Sequence, residues 1–214
     1  MDSLIFLEKF GGWVRPNTCD EYVFKEIRPS YSQLEICNGD IVLDIGANIG
    51  AFSLYAEQQG ASQMYAYEPD PENFALLMMN SPHSINKNCA VVGDDSDTID
   101  LYINSKKNKG IHMTKPVNGR EYITVPAVNF DSVVKDACPN KIKIDVEGAE
   151  YSFMPYKFPD CVERVVMEIH FQYDKSWRQK GRELHENMLE QGFTSLRKFT
   201  DTGKNWHTLG AYVR

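Results

Sequence analysis

Short apolar runs alternate with amphipathic segments along the chain from about residue 40 onward. Apolar runs of roughly four to eight residues that are bounded by turn residues are typical of buried strands. They predict strands at 41–46, 63–68, 88–92, 141–146 and 164–171. Two shorter apolar segments, 193–196 and 209–213, are predicted to complete the same sheet.

Segments with apolar residues at helical spacing separate these strands. They predict a helix from 51 to a stop at Gly60, a second at 72–80 and a long polar helix at 175–191. A further helix is predicted to begin with Asp131 as its N-cap. Strands that alternate with helices in this way form a mostly parallel sheet with helices on both faces.

The stretch 93–121 departs from this alternation, because it is polar and rich in Gly, Asn, Asp and Lys. One short strand is predicted within it, at 101–103. We interpret the stretch as an excursion from the sheet. Its lysines Lys106, Lys107 and Lys109 form either a basic patch for an acidic acceptor or a solvated loop.

Composition limits the class of protein. The 214 residues are 42% hydrophobic and carry 23 Lys+Arg against 30 Asp+Glu, a net charge of −7, so one ordinary domain is expected. The acidic balance argues against bulk binding to nucleic acid. No apolar run approaches the roughly 18 residues of a membrane span. The five cysteines lack CxxC or CxxH spacing, so we expect reduced thiols and a cytoplasmic location.

The first predicted strand ends in the loop Asp44-Ile45-Gly46-Ala47-Asn48-Ile49-Gly50. Ligands of parallel α/β sheets bind beyond the carboxyl ends of the strands, so this loop is a candidate site. It lacks both the lysine of a Walker loop and the glycine spacing of a dinucleotide fingerprint. Glu68 and Pro69 end the next strand, where a carboxylate can accept both hydroxyls of a ribose. The combination fits a nucleoside without a pyrophosphate, such as S-adenosylmethionine.

Three further blocks are distinctive, at 67–74, 142–150 (IKIDVEGAE) and 166–170. With the block 39–50 that contains the glycine loop, they resemble the FkbM-type S-adenosylmethionine-dependent methyltransferases over about residues 20–171. The resemblance implies a class I methyltransferase fold, a Rossmann-like three-layer α/β sandwich. Its seven-stranded, mostly parallel sheet has an antiparallel strand in the last hairpin. The resemblance also implies O-methylation of hydroxyls on sugars, polysaccharides or polyketide-like natural products.

The resemblance assigns residues to the parts of the cofactor S-adenosylmethionine. The methionine part is expected at Asp44, Gly46, Ala47, Asn48 and Gly50, the ribose at Glu68 and Pro69, and the adenine at Asn88 and Ala90. Asp145 ends the fourth strand, where enzymes of this fold place groups that touch the cofactor amine and the acceptor. No metal ion is favoured in this assignment.

Methyl transfer to a hydroxyl requires an aligned acceptor oxygen and a base for its proton. The strand-end positions indicate Asp145 or Glu147 as the group that orients the acceptor and His170 as the base, with Glu26 a distant fourth candidate. Glu147 and Glu150 could instead cap a helix N-terminus. A further alternative is that Asp145, Glu147 and His170 gather a divalent ion that activates the hydroxyl.

Aromatic residues are frequent after the fifth strand, and they either stack on a sugar or pack in the core. They are Phe171, Tyr173, Trp177 and Trp206.

The sequence as a whole predicts a single-domain O-methyltransferase that acts on a glycan or other sugar-bearing acceptor, with a deoxyhexose as one candidate. An N-terminal segment (1–39) would precede the cofactor half (40–92), the excursion and an acceptor-side half (122–214). A glycosyltransferase of the same pathway is a candidate partner. Open alternatives are a natural-product, RNA or protein acceptor, a non-catalytic binding module and a nicotinamide-dependent oxidoreductase.

Overall fold

The computed structural model describes residues 3–104, 112–113, 119–154, 156–171 and 176–214. The predicted lysine patch and Tyr173 lie outside these described residues. The strands are β1 (Ile5–Leu7), β2 (Gly12–Val14), β3 (Ile41–Ile45), β4 (Gln63–Tyr67), β5 (Ile85–Lys87), β6 (Ala90–Val92), β7 (Thr98–Tyr102), β8 (Tyr122–Asn129), β9 (Lys141–Ile144), β10 (Arg164–His170), β11 (Thr194–Ser195) and β12 (His207–Val213). The helices are α1 (Asp20–Tyr31), α2 (Ala51–Gln59), α3 (Pro71–Asn80), α4 (Phe130–Ala137) and α5 (Trp177–Glu190), with short 3-10 helices at Ser32–Leu34 and Ala149–Phe153.

A seven-stranded sheet with the order β11-β12-β10-β9-β3-β4-β5 forms the centre of the fold. The pairs β3–β4, β4–β5, β3–β9 and β9–β10 are parallel, whereas β12 is antiparallel to both of its neighbours. This architecture confirms the predicted α/β class, including the antiparallel strand in the last hairpin.

Both faces of the sheet are buried because its central strands are apolar on both sides. Leu43 and Ile45 of β3 belong to the core on the face with α4 and α5. Val42 of the same strand belongs to the core on the opposite face, together with residues of α1 and α2. The sheet is therefore the middle of three layers.

The predicted third strand at 88–92 is wrong in its pairing. The strand next to β4 is β5, whereas β6 pairs with β8 in a separate three-stranded sheet of order β6-β8-β7. The break has a local cause, since the Asn88 side chain donates to the carbonyl oxygens of Glu68 and Pro69 at 2.8 and 3.1 Å. The chain therefore leaves the main sheet at Asn88. The predicted strand at 101–103 is the end of β7.

The N-cap of α4 is Asn129 and not Asp131. The Asn129 side chain accepts a hydrogen bond from the amide of Ser132 at 3.2 Å. Asp131 lies within the first turn and pairs instead with Lys135, one turn further on, at 2.6 Å. The helix therefore begins at Phe130, two residues earlier than an Asp131 cap requires.

The N-terminal residues form a hairpin, β1–β2, that the sequence pattern did not predict. Arg15 follows this hairpin and binds both carboxylate oxygens of Asp20 at 2.8 and 2.9 Å, and also Oδ1 of Asn73 at 2.8 Å. Asp20 is 1% exposed. These contacts attach the start of α1 to α3.

Cys138 and Cys161 lie together at the opposite end of the sheet, with their Sγ atoms 2.8 Å apart. Both are free thiols, as are the other cysteines. Among the described residues, no helix is both long and apolar enough to span a membrane.

Candidate active site

The glycine loop after β3 is held against the end of β9. Gly46 has φ +80°, and a Cβ at this position would lie 1.8 Å from the carbonyl oxygen of Asp145. Only glycine fits there, because it has no Cβ and adopts positive φ without strain. Asn48 also has positive φ, +53°, which asparagine tolerates better than most residues.

Glu68 connects the glycine loop to the end of β4. One carboxylate oxygen accepts the amide of Asn48 at 2.7 Å, and the other accepts the amide of Asp70 at 2.9 Å. Burial raises the pKa of Glu68 to about 7, although both amide hydrogen bonds act in the opposite direction. The carboxylate is thus fixed in orientation at the strand end.

A cleft with about 610 Å³ of empty volume opens between the glycine loop, the end of β4 and the three-stranded sheet. Its wall includes five of the predicted cofactor residues and two of the predicted catalytic residues. They are Gly46, Asn48, Glu68, Pro69, Ala90, Asp145 and Glu147. We refer to it as the first cleft.

Leu101 and His112 also line the first cleft, although the sequence analysis did not assign them a role. His112 Nε2 lies 3.3 Å from a carboxylate oxygen of Asp70, and its Nδ1 accepts the amide of Asn104 at 3.0 Å. Both residues come from the polar stretch 93–121. No periodic pattern there indicates which side chains return to the site.

The remaining predicted cofactor residues do not line the first cleft. Asp44 is fully buried beneath the loop, where it accepts the hydroxyl of Ser53 at 2.7 Å. Ala47 is buried within the loop, and Gly50 precedes α2 with a Cβ position only 2.9 Å from Leu77. Asn88 supports the turn after Glu68, as described above. These residues therefore support the glycine loop and the turn after Glu68 and do not face the first cleft.

Lys143 of β9 is a buried cation beneath the loop. Its Nζ donates to the carbonyl oxygen of Gly46 at 2.6 Å and lies 3.1 Å from Asp44 and 3.9 Å from Asp145. Burial lowers the pKa of Lys143, but the two carboxylates outweigh this effect and raise it overall. Lys143 therefore remains charged and ties the glycine loop to β9.

A second cleft, with about 1770 Å³ of empty volume, lies on the other side of the β9 end. Tyr22 and Glu26 of α1 form one wall, and Glu168, His170 and His207 contribute to the other. Trp206 and Arg197 also line it. The first and second clefts share Asn48, Asp145 and Glu147. Both clefts thus meet at the predicted catalytic carboxylates.

His170 lies between two carboxylates at this junction. Its Nε2 lies 3.4 Å from Glu147, and its Nδ1 lies 3.2 Å from Glu150. Glu150 is 1% exposed and also accepts the backbone amides of His170 and Gly148, each at 2.8 Å. Glu150 is therefore neither exposed nor a simple helix cap; it holds His170 in place.

The charges of the junction shift the protonation of its members. Burial lowers the pKa of His170, but Glu150, Glu147 and Glu168 outweigh this effect and raise it to about 10. Burial and neighbouring carboxylates raise the pKa of Glu147. Burial alone would raise the pKa of Asp145, but Lys143 and His170 lower it overall. At neutral pH His170 therefore holds a proton, which differs from its expected role as a free base.

Two further contacts orient the carboxylates. The Tyr31 hydroxyl donates to Asp145 Oδ2 at 3.1 Å, and His207 Nε2 lies 2.9 Å from Glu168 Oε1. One ligand atom each from Asp145, Glu168 and His170 lie within 4.8 Å of one another. The ligand group suggested by the sequence pattern contained Glu147 in place of Glu168.

The aromatic residues divide between core and cleft. Phe171 and Trp177 are buried at 3% and 1% exposure, so they pack in the core. Trp206 is 70% exposed and lines the second cleft, as does Tyr22 at 65%. Of the predicted aromatic residues that the structure describes, only Trp206 has an exposed ring that can stack on a ligand.

Comparison with known proteins identifies one family and several solved structures with a similar fold. A family model described as "Methyltransferase FkbM domain" matches residues 44–195. The 31-O-demethyl-FK506 methyltransferase FkbM of Streptomyces tacrolimicus is 39% identical over an alignment of 67 residues, and the match covers 28% of this chain. The match spans 25% of that protein's own length.

Solved structures share the fold at low sequence identity. The C-terminal domain of precorrin-6Y C5,15-methyltransferase from Rhodobacter capsulatus has a TM-score of 0.51 at 13% identity, with 89% of each chain covered. Magnesium protoporphyrin IX methyltransferase from Synechocystis, with bound SAH, has a TM-score of 0.47 at 10% identity. That match covers 91% of this chain and 80% of the other. The likeness to the precorrin-6Y methyltransferase domain agrees with a class I methyltransferase fold for the central sheet and its helices.

Proposed function

This chain belongs to the FkbM methyltransferase family, whose cofactor is S-adenosylmethionine, and we propose that it methylates a hydroxyl of a sugar-bearing acceptor. The observation that carries the proposal is the meeting of two clefts at Asn48, Asp145 and Glu147. A methyl transferase needs donor and acceptor sites that touch at one point, because the transfer is an in-line displacement at a single carbon.

The first cleft has the features required for the cofactor. Glu68 lies at the end of β4 with its carboxylate oriented by two amides, which suits the two hydroxyls of a ribose. Ala90 and Leu101 provide an apolar wall for the adenine ring, and Gly46 allows close approach to the backbone at the methionine end. No lysine for a phosphate is required, because the cofactor carries none.

The second cleft has the features required for a polyhydroxylated acceptor. Two exposed aromatic rings, Tyr22 and Trp206, line it together with carboxylates and imidazoles. Apolar sugar faces stack on aromatic rings, whereas sugar hydroxyls bind polar side chains. The Streptomyces relative is named as a methyltransferase of 31-O-demethyl-FK506, which supports an oxygen acceptor.

The proton of the acceptor hydroxyl needs a receiver as the methyl group moves. We assign this role to the ionised form of Glu147, which lines both clefts, while Asp145 orients the acceptor. The raised pKa of Glu147, about 8, makes its carboxylate a stronger base than an ordinary one. The nitrogens of His170 face Glu147 and Glu150, and Asp145 Oδ2 already accepts the Tyr31 hydroxyl. The new C–O bond forms as the S–C bond breaks, the proton passes to Glu147, and S-adenosylhomocysteine leaves.

The test is transfer of a labelled methyl group from S-adenosylmethionine to a panel of glycans, small phenols, RNA and protein. We expect label on a glycan, a loss of at least a hundredfold in kcat for Glu147→Gln, and no change for Glu190→Gln on the exposed face of α5. Label only on RNA or protein would contradict the acceptor class and leave the cofactor assignment intact. Cofactor binding without transfer to any acceptor would favour a non-catalytic binding module.

A further inference from the structure

Three side chains at the junction of the clefts have the types and spacing of metal ligands. They come from two neighbouring parallel strands: Asp145 follows β9, whereas Glu168 and His170 lie on β10 two residues apart. One oxygen from each carboxylate and one ring nitrogen lie within 4.8 Å of one another. A single ion at their centre can contact all three.

Each of these three side chains has its own orienting partner. Glu150 faces His170 Nδ1 at 3.2 Å, the Tyr31 hydroxyl donates to Asp145 at 3.1 Å, and His207 lies 2.9 Å from one oxygen of Glu168. Ligating imidazoles commonly donate their second N–H to a carboxylate, and ligating carboxylates are themselves hydrogen-bonded. Asp145, Glu168 and His170 therefore have the hydrogen-bonding partners that metal ligands commonly have, as well as suitable ligand atoms.

The charge of the junction also favours a cation. Asp145, Glu147, Glu150 and Glu168 are partly or fully buried within one group of contacts. Lys143 lies closer to Asp44, at 3.1 Å, than to Asp145, at 3.9 Å. Carboxylates that lie close together are costly unless protons or cations neutralise them. A divalent cation on His170 Nε2 would replace the proton that this nitrogen otherwise holds between the carboxylates, and that proton would be released to solvent.

We propose that Asp145, Glu168 and His170 bind one divalent cation at the point where the two clefts meet. This inference rests on the proposed function, because the cation would contact the acceptor oxygen. A bound cation lowers the pKa of a coordinated hydroxyl, so the proton passes more readily to Glu147 before the oxygen attacks the methyl carbon. Two carboxylates with one imidazole suit Mn²⁺, which is therefore the probe for the test.

The first experiment measures binding of Mn²⁺ alone by the electron paramagnetic resonance signal of the free ion. We expect one site per chain, at least tenfold weaker in Glu168→Gln and unchanged in the exposed control Glu190→Gln. Tyr31→Phe removes only the hydroxyl that orients Asp145, and it should weaken Mn²⁺ about tenfold. Thermal unfolding of each variant shows whether it is folded, and Asp145→Asn replaces Glu168→Gln if the latter is not.

Equal Mn²⁺ affinity in the wild type, Glu168→Gln and Asp145→Asn would overturn the proposal. A second experiment separates its failure from failure of the proposed function. Cofactor binding should persist in a chelator, whereas methyl transfer should be lost and return with Mn²⁺. Transfer that continues undiminished in the chelator would overturn the cation site and leave the proposed function standing. Binding of one Mn²⁺ per chain without methyl transfer to any hydroxyl acceptor would support the cation site and overturn the proposed function.

Discussion

The carbonyl oxygen of Asp145 occupies the space where a Cβ of residue 46 would be, 1.8 Å from that position. The loop that faces the first cleft and the strand end that carries the junction carboxylates are therefore in direct contact. A displacement of either moves the other. This contact explains why the loop begins with a glycine immediately after β3.

Gly46→Ala should therefore damage both the fold and the cofactor site. The alanine methyl group would overlap Asp145, so we expect a destabilisation of at least about 3 kcal/mol and at least tenfold weaker binding of S-adenosylmethionine. Urea unfolding and calorimetry measure the two effects.

Gly39→Ala is the matched control, because Gly39 also has positive φ, +98°, but its Cβ would meet nothing within 4 Å. It should cost about 1 kcal/mol of backbone strain and leave cofactor affinity unchanged. Similar losses in both variants would show that backbone strain, and not the contact with Asp145, determines the result.

Glu68 should make the stability of the fold depend on pH. Burial raises its pKa from 4.5 to about 7, so the folded state favours the protonated form. The protonated Glu68 side chain therefore adds about 3 kcal/mol to the free energy of unfolding. This stabilisation is present in full below pH 4.5 and is lost as the pH rises through about 7. In Glu68→Gln, urea unfolding between pH 4.5 and 7 should show a correspondingly smaller loss of stability. An unchanged slope in that variant would assign the titration to another group.

Asp20 should be important for stability although it lies far from the chemistry. Asp20→Ala leaves Arg15 without its paired carboxylate in a mostly buried position, which should cost about 3 kcal/mol in urea unfolding. Glu21→Ala, at the next residue, removes only an exposed pair with Lys25 and should leave stability nearly unchanged. Equal effects of the two substitutions would contradict the interpretation of the Arg15 contacts.

Trp206 should affect the acceptor and not the cofactor. Trp206→Ala removes an exposed ring from the second cleft, so KM for a sugar acceptor should rise at least fivefold. Cofactor affinity and melting temperature should stay unchanged. Tyr122→Ala, which removes another exposed ring outside both clefts, should have no effect on KM. An unchanged KM in Trp206→Ala would remove the stacking role.

Cys138 and Cys161 should form a disulfide under a mild thiol oxidant such as diamide. Their Sγ atoms are 2.8 Å apart, and a disulfide bond is about 2.0 Å long. The intact mass should fall by two hydrogens, which pass to the oxidant. Cys138→Ser should abolish the change, whereas Cys37→Ser should not. If the intact mass of Cys138→Ser still fell by two hydrogens, the oxidation would belong to other thiols.

The sequence was sufficient for the main sheet because its central strands are apolar on both faces. β3, β4, β9 and β10 all lie within a few residues of the predicted runs. The strand at 88–92 was misplaced because an Asn side chain, bonded to carbonyls twenty residues away in sequence, redirects the chain. A polar contact between residues so far apart in sequence leaves no trace in the spacing of apolar residues, so the pattern could not predict it.

The candidate site was predictable where position at a strand end was enough. Five of the predicted residues line the first cleft, namely Gly46, Asn48, Glu68, Asp145 and Glu147. Asp145 and Glu147 also line the second cleft. Glu150, Tyr31 and His112 were missed or misjudged, because their roles depend on partners from distant segments. The protonation of His170 likewise depends on three carboxylates that only the fold brings together.

The shared wall of the two clefts has a consequence for turnover. Among the described residues, the clefts have only Asn48, Asp145 and Glu147 in common, and their other walls differ. On the proposed assignment of cofactor to the first cleft and acceptor to the second, a spent cofactor could leave while the acceptor stays bound beside Trp206. Such a separation would allow processive modification, in which one acceptor molecule receives several methyl groups before it dissociates.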